Sequence, residues 1–391
     1  MKGDPLRILV CPTAFKGTLT ADEASRAMAR GALRGVRGAE VIRRPLSDGG
    51  PGLLDALLGA PASSDGEHAA ADPGAESPEA RFDDEEVRID EVLVSGPLGN
   101  PVLGRVLWTS ESGGEVATFE SADACGVDLL PRSRRDPMRS DTRGVGELIR
   151  YAEERGARTV RIGLGGSGTV DGGTGAARVY GWRFLDDAGR ELPPGGGALT
   201  RLGRIASGAR PEVGVTALAD VESPLNGMAG AARRFGPQKG ATGEQLERLV
   251  EGLERLAERL EEDLGVGKVA DLPGSGAAGG LGAGLVAFLG AAIEPGSDWV
   301  LERVGFRQQL SRSDLVVTGE GAFDASSLAG KIVGRVVELA REAGVPTLLL
   351  CGRFQGEPPE GTRAADGGGE RLESDDLEDL AARETAAAAE I

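Results

Sequence analysis

Two β-loop-α-β units, one at each end of the chain, leave few folds open to it. The first has a strand at Arg7–Cys11, a loop over 12–20, a helix over 21–33 and a second strand at Glu40–Arg44. Thr20 stands at the N-cap of that helix and Glu23 three residues on, the spacing of a capping box. The second has a strand at Asp314–Thr318, a loop over 319–324, a helix over 332–343 and an apolar strand at Val345–Cys351. Strands joined through a helix in this way pair in parallel with a right-handed crossover. Continuous apolar runs such as Val345–Cys351 mark strands covered on both faces. The pattern predicts one parallel sheet built from both chain ends and interrupted by an insertion.

The insertion reads differently. Val87–Val94 and Gly104–Phe119 are strand-like at hairpin spacing, which predicts antiparallel or mixed pairing. A helix over 144–155, a strand over 159–164, a glycine loop over 165–175 and a helix over 174–180 follow, then a short strand over 216–221. Thr242 and Gln245 form a capping box at the head of a helix reaching Leu264, whose Leu249, Leu253, Leu256 and Leu260 share one face. The fold class is α/β with two domains. Residues 1–60 and 283–356 make the parallel-sheet domain, and 87–282 make the inserted domain with a mixed sheet.

Two stretches fall outside that scheme. Residues 61–86 hold nine carboxylates and one arginine, and 357–391 hold eleven carboxylates and three arginines. They account for nearly all of the formal charge of −18. Rich in Ala, Gly and carboxylate, they are predicted to stay disordered, because such compositions bury too little apolar surface to offset ordering entropy.

The remaining body is close to neutral, which predicts no nucleic-acid or anionic-membrane partner. Cys11, Cys125 and Cys351 lack any CxxC spacing, so neither a disulfide framework nor a zinc site is expected. The single histidine, His68, lies in the acidic insert, which argues against histidine-based catalysis or metal ligation. Leu272–Ile293 carries no charge over 22 residues, yet its seven glycines and one proline suit a buried loop and core helix better than a membrane span. No charged leader followed by a long apolar run opens the chain, and a cytoplasmic location is expected.

Glycine makes up 63 of the 391 residues, and much of it sits where chemistry could occur. Gly163–Gly175 follows a strand and opens a helix, and Gly274–Gly284 has the same character. Such loops bring backbone N–H groups toward an anion at a helix N-terminus, or they serve tight packing. Carboxylates flank the glycines at strand ends: Asp48, Asp171, Asp220, Glu320 and Asp324. Only five lysines stand against 39 arginines, and Lys16, Lys239 and Lys331 each adjoin a glycine. A lysine kept in so arginine-biased a chain is one whose compact ammonium a guanidinium cannot imitate. Ligands bind outside the carboxyl ends of strands in open α/β sheets, where these loops converge. Carboxylates, lysines and glycine loops without a usable His or Cys fit phosphoryl transfer, which needs positioning, Mg²⁺ and cations over the developing charge.

Eight ordered motifs sharpen this. Phe15-Lys-Gly-Thr-Leu-Thr-Ala21, Pro45-Leu-Ser-Asp-Gly-Gly50, Thr142-Arg-Gly-Val-Gly-Glu-Leu-Ile149, Gly163-Leu-Gly-Gly-Ser167, Asp171-Gly-Gly173, Phe235-Gly-Pro-Gln-Lys-Gly-Ala241, Gly276-Ala-Ala-Gly-Gly-Leu-Gly282 and Thr318-Gly-Glu-Gly321 with Gly330-Lys331 closely resemble the bacterial glycerate kinase family. The resemblance runs over about 6–353. It implies an ATP-dependent kinase that phosphorylates D-glycerate at the 2-hydroxyl. It also implies a Rossmann- or flavodoxin-like domain from both chain ends, an inserted α/β domain, and a site in the cleft. In that setting Lys16, Asp48, Asp171 and Lys331 are the catalytic candidates. Gly165, Gly166, Ser167, Lys239, Gly276, Gly279, Gly280 and Glu320 are candidates for ATP, and Asp220 and Asp171 for Mg²⁺. The partner is a small hydroxy acid, and the protein is a monomer or homodimer. The chain departs from the family pattern at Thr13-Ala14, Pro51, Leu53, Val170, Ala219, Ser223, Ala322 and Ser326. Another small hydroxy acid as substrate, or a degenerate homologue that only binds a nucleotide or small anion, are the alternatives.

Overall fold

A computed structural model describes residues 5–15, 17–59, 87–324, 327, 331–368 and 372–389. Two compact units emerge: unit 1 comprises Met1–Asp48, Gly52–Glu85 and Ser297–Ile391, and unit 2 comprises Gly49–Pro51 and Glu86–Gly296. The acidic insert at 61–86 lies outside the described residues.

Unit 1 begins with β1 (Arg7–Val10), α1 (Ala21–Gly35), β2 (Glu40–Arg43) and α2 (Leu53–Gly59). The capping box at the head of α1 forms as expected: the Glu23 amide donates to Thr20 Oγ1 at 3.2 Å, and the Thr20 amide donates to the Glu23 carboxylate at 2.8 Å.

Unit 2 runs through β3 (Arg88–Ser95), β4 (Pro101–Glu111), β5 (Gly114–Glu120), α3 (Ser121–Cys125), α4 (Arg143–Glu154), β6 (Thr159–Gly163), α5 (Thr174–Val179), β7 (Arg183–Leu185), β8 (Arg204–Ala206) and β9 (Gly214–Leu218). It continues with α6 (Ala231–Phe235), α7 (Gly243–Leu264), α8 (Ala277–Leu289) and β10 (Ala292–Glu294). Its main sheet has the order β10-β9-β6-β5-β4-β3. The β3, β4 and β5 pairings are antiparallel, and those from β5 through β6 and β9 to β10 are parallel. The charge-free stretch 272–293 becomes α8 and β10, with Phe288 of α8 packed against Trp182 and Phe184 at ring distances of 5.2 and 5.3 Å. That packing explains why the boundary falls after Gly296 rather than after 282: α8 belongs to the core of unit 2. Among the described residues no helix is long and apolar enough to cross a membrane.

The chain then returns to unit 1 through α9 (Gly296–Arg303), α10 (Phe306–Leu310), β11 (Leu315–Phe323), α11 (Ile332–Ala343), β12 (Thr347–Phe354), β13 (Thr362–Asp366) and α12 (Ser374–Ala388). Its sheet is parallel throughout, in the order β13-β12-β11-β1-β2. Numbered along the chain, that is the 2-1-3-4-5 order of flavodoxin-like sheets, whose ligands sit at the carboxyl ends of the two strands flanking the reversal. Here those strands are β1 and β11.

One expectation fails. Residues 357–391, predicted to be a disordered acidic tail, carry β13 and α12. The composition hid a helix face: Leu377, Leu380 and Ala381 are buried with Ala24, Ala27 and Met28 of α1 in one core cluster. Gly31 and Gly35 let the helix backbones approach, since a Cβ at either would collide with α12 main chain at Glu378 or Ala382. The acidic residues then pair across the same contact, Glu378 with Arg30 at 2.6 Å and Asp379 with Arg34.

Candidate functional site

In unit 2 the parallel strands β6, β9 and β10 end side by side. The Leu164 amide donates to Leu218 O at 2.9 Å, and the Ala219 amide to Glu294 O at 3.0 Å. Two segments leave this carboxyl edge, the glycine loop 164–173 and the turn carrying Asp220, and a third, the loop 274–276 ahead of α8, lies alongside, with Gly274 close against Ala219 and Val221. The third is tied to the second by the Gly276 amide donating to Ser223 O at 2.8 Å. Of the residues picked out by sequence, Gly165, Gly166, Ser167, Asp171, Asp220, Gly276, Gly279 and Gly280 belong to these loops and the kinked start of α8.

Lys239 joins them from the short helical turn after α6. Its side chain is enclosed, with 3 % of the residue exposed. The ammonium donates to Ser167 Oγ at 2.9 Å and to Thr169 O at 2.8 Å, and no third acceptor meets it among the described residues. Burial lowers its pKa from 10.5 to about 8, against the opposing pull of Cys125 and the Asp171 carboxylate. A Cβ at Gly279 would lie 3.0 Å from Nζ, so the glycine leaves the ammonium its space.

Asp171 is more enclosed than Asp48, Asp220 or Glu320. It is wholly buried, and its carboxylate is occupied by the structure around it. Oδ2 accepts from the Thr142 amide (3.1 Å), Thr142 Oγ1 (2.9 Å) and the Gly175 amide (2.9 Å), while Oδ1 accepts from the Gly173 amide (3.2 Å). Thr142 Oγ1 in turn accepts from the Ala176 amide at 3.1 Å. The side chain thus staples the start of α5 to the start of α4. Burial raises its pKa, and these hydrogen bonds work in the opposite direction. All four contacts come from the two helix starts and the turn between Asp171 and α5.

The glycines serve close packing as well as exposure of amides. Cβ atoms at Gly165 and Gly166 would press on Gly50 and Pro51, and one at Gly280 would reach within 2.9 Å of Gly172 Cα. The Gly172 amide donates to Gly279 O at 3.2 Å, so the two glycine loops lie against each other. At their contact Ala278 adopts φ 52°, the one non-glycine residue with positive φ among the described residues, followed by Gly279 and Gly280 in the same left-handed region. Such strain is kept where surrounding structure over-determines it, often at functional sites. The sequence gives no sign of Ala278, nor of Thr142 as the partner of Asp171. Cys125, beside this centre, has its thiol pushed up to about 12 by burial, which removes it as a nucleophile.

Two departures from the family pattern change meaning in three dimensions. Val170 and Ala219 both lie in the apolar core of unit 2. Ser223 is buried, and its hydroxyl accepts from Arg234 at 3.0 Å.

In unit 1 the loops after β1, β2 and β11 leave one edge of the sheet. The Thr13 amide donates to Gly319 O at 2.9 Å, the Leu46 amide to Pro12 O at 2.9 Å, and Thr318 Oγ1 to Cys11 O at 2.8 Å. Glu320 sits on β11 in that edge, Lys331 at the N-cap of α11, and Asp48 in the turn after β2, all three half-buried. Lys16 lies outside the described residues. Among the described residues no three His, Cys, Asp or Glu side chains gather as a metal cage.

The sequence pattern of the glycerate kinase family matches residues 8–84 and 67–366. A glycerate kinase of Bacillus subtilis (strain 168) is 38 % identical over 351 residues, covering 89 % of this chain and 85 % of the relative. A glycerate 2-kinase of Escherichia coli (strain K12) is 36 % identical over 351 residues, with the same coverage of each. The crystal structure of a proposed glycerate kinase 2 from Salmonella typhimurium LT2 superposes with a TM-score of 0.74 at 32 % identity, covering 98 % of both chains.

Proposed function

The chain belongs to the glycerate kinase family, and on that premise we propose that it phosphorylates D-glycerate with ATP and Mg²⁺ to give 2-phosphoglycerate. The observation that carries the reading is Lys239: a buried ammonium with a donor left over, held against two glycine loops beside the carboxyl ends of the parallel strands of a mixed sheet. Bound ATP supplies the phosphoryl group, and Mg²⁺ shields its charge.

The chain's own residues divide the remaining work. Lys239 neutralises charge on the phosphate chain, the amides of Gly165, Gly166 and Gly279 line the path beside it, and Gly276 and Gly280, whose amides are bonded to Ser223 O and Gly276 O, shape the loop. Asp220, in the turn after β9, would hold Mg²⁺. Asp171 keeps the helix starts in register, so that these amides are fixed before substrate arrives. From the family resemblance, Lys16 binds the substrate carboxylate or the transferring phosphate, Asp48 accepts the hydroxyl proton, Lys331 neutralises charge and Glu320 contacts ribose or Mg²⁺. The reading of the chain as a degenerate homologue is weakened at Val170 and Ala219, because a core side chain replaces no ligand contact.

A coupled assay of ADP release with D-glycerate and Mg-ATP tests the proposal, with phosphorus NMR of the product fixing the hydroxyl. Turnover with D-glycerate is expected. No release above background with D-glycerate would refute it, and turnover only with another hydroxy acid would reassign the substrate.

A further inference from the structure

A second feature of unit 2 shares no residue with the Lys239 centre. A cavity of about 570 Å³ is lined by four arginines, Arg139, Arg143, Arg201 and Arg248, with Asp141 as its single carboxylate. The arginines come from three separate stretches of chain: the turn before α4 and its first residue, the helical turn ending at Arg201, and α7. None forms an ion pair with a carboxylate among the described residues. Elsewhere in the unit arginines find acidic partners, as Arg161 does with Glu111 at 2.7 Å and Arg178 with Glu191 at 2.8 Å. The Asp141 carboxylate is itself committed, accepting from the Arg143 amide at 3.0 Å.

Four guanidinium groups around one hole, opposed by one carboxylate, leave three net positive charges. Folding alone gives no reason to gather like charges in this way, since they repel across a shared cavity. Guanidinium forks match the paired oxygens of phosphate and carboxylate groups, so a ligand bearing both relieves that repulsion. The rest of the wall is apolar and stiff, with Pro97, Pro193 and Pro194 beside Met138. Such a wall suits the carbon portion of a ligand more than a bare inorganic ion. We propose that this cavity is a second anion site, distinct from the phosphoryl-transfer centre, and that it takes a small phosphorylated organic acid.

Titration calorimetry on the full chain tests this, with D-glycerate and a non-hydrolysable ATP analogue held at saturation so that the reaction site is filled. The ligands are 2-phosphoglycerate and inorganic phosphate. Saturable binding of the organic phosphate, tighter than that of inorganic phosphate, is expected. The exposed pair Arg201→Gln/Arg248→Gln should weaken it about tenfold or more, the scale of losing charge-assisted hydrogen bonds. A control pair in the same unit, Arg183→Gln/Arg190→Gln, removes equal charge and should leave affinity unchanged. Absence of saturable binding, equal weakening by both pairs, or equal affinity for the two ligands would each overturn the assignment. The readout is binding, so it stands or falls independently of turnover.

Discussion

At Lys239 burial and the electrostatic pull of Cys125 and Asp171 act in opposite directions, and burial wins. With its pKa near 8, the ammonium is charged at neutral pH and loses its proton through the mildly alkaline range. If it neutralises phosphate charge, kcat/KM should decline above pH 8 along a limb with an apparent pKa near 8. A pH–rate profile that stays flat to roughly pH 9.5 would remove Lys239 from the reaction. Asp171 calls for a different outcome. In Asp171→Asn the amide NH₂ must face at least one of the four donors now served by oxygen. The cost is about 1–3 kcal/mol, read as a lower Tm together with reduced kcat. A variant with wild-type Tm would show that the staple is dispensable. Asp141 gives a third case, because burial and the nearby Asp171 charge raise its pKa from 3.8 to about 6. The folded state therefore holds this proton more tightly than the unfolded chain. Ionising Asp141 costs stability, a penalty that is absent below pH 4 and fully developed above pH 6. From that shift it amounts to about 3 kcal/mol. Asp141→Asn should lift Tm at pH 7 and leave it nearly unchanged at pH 4, which a pair of thermal melts decides.

At the scale of elements, the sequence was most legible where periodicity and caps coincide. The capping boxes at Thr20 and Thr242 mark helices that begin at Ala21 and Gly243, and the strand expected at 159–164 spans Thr159–Gly163. The acidic C-terminal segment was misread because its charge swamped a spacing present all along: Leu377, Leu380 and Ala381 on one face of α12. What that face packs on, the Ala and Gly side of α1, lies more than 340 residues away and leaves no local trace. The candidate site was legible as residue types and only partly as roles. Lys239 stood out by its rarity, whereas the enclosure of Asp171 depends on the fold of Thr142 and Gly175 around it. Truncation after Gly356 should strip β13 and α12, expose the α1 face and yield protein that melts lower or aggregates. Gly31→Leu should destabilise by about 1–3 kcal/mol through overpacking against α12. Urea unfolding measures both, and unchanged midpoints would break the account of this helix pair.

For the molecule as a whole, the net charge of −18 no longer divides cleanly between a working body and idle appendages. Part of it, at Glu378 and Asp379, is spent on pairing with α1. Unit 2 carries its own continuous core and a six-stranded sheet closed within Arg88–Glu294. A fragment of residues 86–296 should therefore unfold cooperatively by circular dichroism, while failing to phosphorylate glycerate. A non-cooperative melt would mean that its core is incomplete. The sheet of unit 1 has a further consequence, for synthesis. β1 and β2 leave the ribosome first, yet the neighbour that β1 needs, β11, begins only at Leu315. At about 5–20 residues per second, the wait lasts on the order of tens of seconds. During that interval the nascent chain holds an unfinished two-stranded edge while unit 2 emerges whole, so the middle of the chain can complete its sheet before the two ends complete theirs.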